Sequence, residues 1–175
     1  MQSLFKSIAR VIDLITSYIG KGFSVLTLVT IVIMFLSVVQ RYFFDYSVVW
    51  QQELIGFTHA ICFMTVSGYA LMKDAHVRVD ILYSRFSDRT KSFIEIFGTI
   101  ILIIPFAVAI LILSGDFISS SWNIKETSRE ANGLAYVYVL KTFIAVFAVT
   151  LILQSISTIS KNIAELVSAQ DKEHV

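Results

Sequence analysis

Apolar residues fill four long blocks of the chain, and each block is closed on both sides by a charge. Residues 22–40 lie between Lys21 and Arg41 and carry no charge. Residues 54–72, between Glu53 and Lys73, carry only His59 as an ionisable group. Residues 96–115, between Glu95 and Asp116, and residues 142–160, between Lys141 and Lys161, carry none. About 20 apolar residues suffice to cross a bilayer as a helix. The pattern therefore predicts four transmembrane helices, over 22–42, 50–73, 91–115 and 134–160, the last starting near Leu134 with Lys141 snorkelling outward. Two shorter stretches are amphipathic. Leu4, Ile8, Val11, Ile12, Ile15 and Ile19 share one side of residues 2–20, with Lys6, Arg10, Asp13 and Ser17 on the other. Over 75–87, Ile81, Leu82 and Phe86 are interleaved with Arg78 and Arg85. Both segments are expected as helices lying in the membrane interface, and residues 161–175 as a polar tail. Ser87 or Asp88 supplies the cap before the third span. The single proline, Pro105, is expected to kink that span.

Composition agrees with this reading. The 175 residues are 56% hydrophobic and only 15% charged, whereas soluble domains carry about a quarter charged residues. Mean hydropathy is +0.76. The fold class expected is an all-α integral membrane protein with a single membrane domain over 1–175. Lys6, Arg10, Lys21, Lys73, Arg78, Arg85, Arg89, Lys91, Lys161 and Lys172 fall on one side of the four spans, against Arg41, Lys125, Arg129 and Lys141 on the other. The positive-inside rule then puts both termini in the cytoplasm. The first apolar block ends in "SVVQRYF" without a small-x-small site, so it is expected to be kept rather than cleaved as a signal peptide. A net charge of +1 and the lack of a basic-aromatic patch give no argument for nucleic acid. Cys62, the only cysteine, excludes an internal disulfide and a cysteine metal cage, and an inert thiol is expected.

The candidate chemistry sits at the ends of the spans. Glu53, in "WQQEL", lies near the start of the second span with Trp50 three residues before it, where an aromatic belt belongs. Glu53 is either a helix cap and interface anchor or a bond to a partner helix. Arg41 is a plausible cation for it. His59 stands further in, alone on an apolar helix, where a hydrogen bond to a neighbour is the common role and a proton relay would need further partners. His76 and Asp80 are four apart and share one helix face. They form either a solvated face or a contact to another subunit, and without a third ligand they make no metal site. "SSSWNIKETSREANGLAY" is an outward-facing polar loop with a turn at Asn132-Gly133.

Taken in order, "QRYFF", "WQQEL", "SGYALMKDAHVRVDIL" and two further spans resemble the small membrane subunit of tripartite ATP-independent periplasmic (TRAP) transporters, the DctQ family. The resemblance covers about residues 15–160 and rests mainly on Arg41, Trp50, Glu53, Gly68, His76 and Asp80. "SW", "ETSREANGL" and "YVYVLK" are similar to small subunits of systems for 2-oxoacids, mannitol or chloroaromatic acids. The resemblance implies a small permease subunit that acts as a fixed scaffold. Its partners would be a large elevator-type membrane subunit in equal stoichiometry, a periplasmic substrate-binding protein and membrane lipids. Sodium would bind the large subunit, and this chain would hold no cofactor, perform no catalysis and lie in the bacterial inner membrane. Arg41, Trp50, Glu53, His76 and Asp80 would serve subunit contact or fix the fold. Two other classes compete. A four-span exporter working as a dimer wants a carboxylate deep in a span, and none lies between the bounding charges. A haem-binding anchor wants more ligands than His59, His76 and His174.

Overall fold

The computed structural model describes residues 2–73 and 86–173. It consists of helices α1 (Gln2–Phe44), α2 (Val49–Met72), α3 (Asp88–Gly98), α4 (Ile104–Asn123) and α5 (Val137–Glu173), with a π-helical turn, Thr99–Ile103, joining α3 to α4. The described residues contain four stretches long and apolar enough to cross a membrane: Ser3–Phe44, Val49–Met72, Arg89–Asn123 and Val137–Ser168. The predicted interfacial segment 75–87 falls almost wholly outside the described residues, as do His76 and Asp80.

Segment 2–20 and the first span are one unbroken helix with no interruption at Lys21. Gly20 and Gly22 flank Lys21, but each costs a helix only about 1 kcal/mol and the helix runs through them; 43 residues at 1.5 Å each give a rod of about 64 Å. The apolar side chains Leu4, Val11 and Ile15 point outward, while Ala9 and Thr16 are buried against the bundle. The amphipathic segment thus packs its small residues on the other helices, rather than lying apart from them.

Helix α5 is the centre. It packs against α1, α2, α3 and α4, and α1 and α2 pack on each other. Its inward positions are small or polar. Ala148, Gln154, Ser155, Ser157 and Ala164 are fully buried, whereas Phe35, Phe63, Leu102, Phe106, Ile112 and Leu113 are exposed. This inverts a water-soluble core. In lipid no hydrophobic force drives helices together, so small residues that allow close approach and hydroxyls that bond across helices hold the bundle. Gly20 lets α1 reach Tyr69 of α2, and Gly68 lets α2 reach the backbone of Thr150 in α5. Thr30 donates to Thr58 at 2.8 Å between α1 and α2, and Thr27 meets Cys62 at 3.3 Å.

Ser87 is the residue that caps α3, its hydroxyl accepting from the Thr90 N–H. Just before Pro105, where a kink is expected, the helix carries the π turn. Proline has no N–H to offer the carbonyl four residues back, and the Ile104 N–H reaches five residues back to Thr99. A widened turn of this kind absorbs the missing bond without ending the rod.

Candidate functional site

At the end of the bundle where α2 begins, Glu53 holds the loop between α4 and α5. Its carboxylate accepts from the Ser128 hydroxyl and from the Leu134 N–H at 2.6 Å. The loop closes on itself, because the Ser128 N–H donates to the Leu134 carbonyl at 2.9 Å and the Glu130 N–H donates to Ser128 Oγ at 3.0 Å. Ser128 Oγ therefore accepts one bond and donates another. The predicted Asn132-Gly133 turn is present, with Asn132 in the left-handed region at φ 62°. Gly133 is required for space instead: a Cβ there would stand 2.4 Å from Ser128 Oγ and 2.7 Å from Glu53 Oε2.

Arg41 is not the partner of Glu53. It is exposed at the end of α1, and the carboxylate is turned to the loop. Trp50 is 46% exposed beside it, and His59 is exposed on the side of α2. The start of the same loop is locked by Lys141, which forms an ion pair with Glu126 and lies 3.8 Å over the Phe117 ring. The Lys141 hydrogen bond holds the Glu126 carboxyl below its ordinary value. Trp122 donates to Thr142 at 2.9 Å and packs edge-on against Tyr138, with ring centroids 4.7 Å apart. Lys125 covers both rings. These aromatics form a belt of the kind found where a helix leaves hydrocarbon.

A second cluster, at the opposite end, was not singled out from the sequence. Lys161 of α5 pairs with Asp13 of α1 at 2.6 Å. Ser157 donates to the same carboxylate at 2.6 Å and Gln154 Nε2 at 3.3 Å. On the other side of α5, Asn162 donates to Glu95 at 3.0 Å and Ser92 to Glu165 at 3.4 Å. The signal was available: Thr150, Gln154, Ser157 and Lys161 recur three or four residues apart, which is one helix face. A search confined to charges passes over it.

At both ends of the bundle, then, the carboxylates of Glu53, Glu126, Asp13, Glu95 and Glu165 are turned onto the chain itself. Among the described residues no group of three His, Cys, Asp or Glu side chains is placed to hold a metal ion. The bonds at Glu53, Asp13, Glu95 and Glu165 join helices or pin a loop, and the surface left over is apolar along α1 and α4 and amphipathic at the ends.

Comparison with curated proteins finds no match, and none is found among solved structures. The sequence profile described as "Tripartite ATP-independent periplasmic transporters, DctQ component" matches residues 30–164. That interval runs from the middle of α1 to the polar end of α5 and takes in Glu53, its loop and Lys161. The chain is a multi-pass membrane protein, and it belongs to the DctQ family, the small component of tripartite ATP-independent periplasmic transporters.

Proposed function

We propose that this subunit is a fixed scaffold for a large, elevator-type membrane subunit in sodium-coupled, binding-protein-dependent uptake of an organic acid across the bacterial inner membrane. The observation that carries the reading is the use made of the polar groups. Glu53 is consumed in fixing the α4–α5 loop, and Asp13 in fixing α1 to α5. A transport core keeps polar groups at midplane beside broken helices, whereas these lie at the two ends and rigidify them. Small residues draw the four spans together, and the outer walls, such as Val32, Phe35 and Val38 of α1, are left apolar for lipid or a neighbouring subunit.

On this reading Glu53 fixes the fold. Arg41 and Trp50, exposed at the same end, contact the large subunit or the interface, and His76 and Asp80 are assigned to subunit contact as well. Sodium and substrate bind the large subunit, and the periplasmic binding protein delivers the acid.

The test is purification of the chain from its native membrane in a mild detergent, with mass spectrometry of what accompanies it. A stoichiometric large polytopic subunit supports the scaffold role, and Glu53→Ala is then expected to lose assembly or uptake. A chain that purifies alone and transports in liposomes overturns it, as does normal complex yield and uptake in Glu53→Ala.

A further inference from the structure

The N-terminal half of α1 carries more positive charge than its packing uses. An open groove of about 610 Å³ lies between α1 and the end of α2, walled by Lys6, Arg10, Asp13, Leu14, Lys73 and Lys161. Four of these side chains are cations and one is a carboxylate. Asp13 is taken up by Lys161. Lys73 stands over the Tyr69 ring at 5.8 Å, which leaves its N–H donors unspent. Lys6 and Arg10 are exposed, and among the described residues neither forms an ion pair. The carbonyl end of α2 also opens here, but a helix terminus offsets only about half a charge. The groove is left strongly cationic.

Helix α2 gauges its depth. Val49–Met72 is 24 residues, about 36 Å of helix, enough to cover roughly 30 Å of hydrocarbon and leave Lys73 at headgroup height. Gly20 of α1 lies against Tyr69, one turn before Lys73. The two helices are antiparallel neighbours, so Lys73 is level with a position one turn back along α1, near Thr16. Lys6 and Arg10 then lie beyond the hydrocarbon, and Tyr18 lies at its edge.

Lys6, Arg10, Leu14 and Tyr18 follow one another at intervals of four, which makes one ridge of the helix. The ridge is cationic where it leaves the membrane. Towards the hydrocarbon it is apolar and turned away from the bundle, with Leu14 54% and Tyr18 79% exposed. A surface that passes from charge to hydrocarbon contact at this depth matches an amphiphile better than a soluble anion. The charge selects its headgroup. A phosphate that carries no amine meets Lys6, Arg10 and Lys73 unopposed, whereas a zwitterionic headgroup brings a further cation among them.

We infer that this groove binds one anionic phospholipid, its phosphate held by Lys6, Arg10 and Lys73 and the start of its acyl chain laid over Leu14 and Tyr18. The inference does not depend on the scaffold role, and its failure would leave that role standing.

The test uses the full chain, with any subunit that accompanies it, stripped of loosely held lipid. It is offered phosphatidylglycerol and phosphatidylethanolamine of the same acyl chains in equal amounts, and native mass spectrometry reads the lipid retained. Phosphatidylglycerol is expected to be enriched on the order of tenfold. Arg10→Gln alters an exposed residue and is expected to cut that enrichment about fivefold, the scale of one Lys or Arg beside an anionic headgroup. Arg129→Gln removes the same charge at the opposite end of the bundle and is expected to leave it unchanged. Leu14→Ser is expected to lower retention with an unchanged circular dichroism spectrum, and excess inorganic phosphate to displace no lipid. Equal retention of the two lipids overturns the inference, as do equal effects of Arg10→Gln and Arg129→Gln. Full retention in Leu14→Ser, or displacement by inorganic phosphate, assigns the groove to a soluble anion and overturns it too. So does cross-linking from Arg10→Cys to residues 74–85 or to another subunit, which would put protein where the lipid is placed.

Discussion

Replacing Gly68 with alanine puts a methyl carbon 2.9 Å from the Thr150 carbonyl oxygen and 3.0 Å from Thr150 Cβ. The oxygen belongs to the backbone of α5, so no side-chain rotation relieves the contact. Restoring an ordinary separation of 3.4 Å requires α2 and α5 to part by about 0.5 Å there. The Ser67–Thr150 contact, already 3.4 Å long, would be lost with it. Overpacking of this kind costs about 1–3 kcal/mol. Alanine also favours a helix over glycine by roughly 0.8–1.0 kcal/mol, which masks part of the loss. Gly56, on the same helix, supplies the control, because a Cβ there meets nothing within 4 Å. Gly56→Ala gains the propensity without the clash, so the difference between the two variants isolates the packing cost. Unfolding of each purified variant in mixed micelles, with a rising fraction of a denaturing detergent, gives that difference. Gly68→Ala is expected to fall below Gly56→Ala by about 1–3 kcal/mol. Equality of the two within about 0.5 kcal/mol, the ordinary effect of a surface change, would refute the close helix crossing as the reason for glycine at this position.

Three further outcomes are expected. Asp13→Ala removes the acceptor of Ser157 and the counter-charge of Lys161 and should lower stability by about 1–3 kcal/mol in the same micelle titration. Gly133→Ala drives a methyl into Ser128 and Glu53, so the loop should open and trypsin cleavage after Arg129 should quicken, on the order of tenfold for a local loss near 1.4 kcal/mol. The Glu126 carboxyl titrates below its ordinary value of 4.5 because Lys141 bonds its charged form. Its contribution is therefore present above 4.5 and lost as pH falls through the lowered folded value. The stability gap between the native chain and Lys141→Met should shrink as pH is taken from about 7 to about 3, and a gap independent of pH would exclude this pair as its source.

The four spans were legible because each is a local property. A run of 19 or 20 uncharged residues between two charges states its own length, and hydrocarbon of about 30 Å leaves few alternatives. The cap at Ser87 was legible for the same reason, since it follows from the acceptor that one side chain can offer. The continuity of α1 was less so. The change of pattern at Lys21, with Gly20 and Gly22 on either side, invites a boundary, but a change in which side of a helix is polar does not bend the backbone, and two glycines cost it only about 1 kcal/mol each.

The partner of Glu53 was out of reach for a different reason. Arg41 is twelve positions away in the chain and carries the opposite charge, which made it the natural candidate. The carboxylate instead meets a hydroxyl 75 residues away and a backbone N–H 81 residues away. A backbone donor leaves no mark in the identity of its residue, and Leu134 would never be chosen as a hydrogen-bond partner from its side chain. The same blindness hid Asp13, whose bonds to α5 span more than 140 residues. In a soluble protein the apolar side chains would at least have announced the core. Here they face outward, the interior is made of serine, glutamine and alanine, and the side of a span that looks least hydrophobic is the side that holds the bundle together.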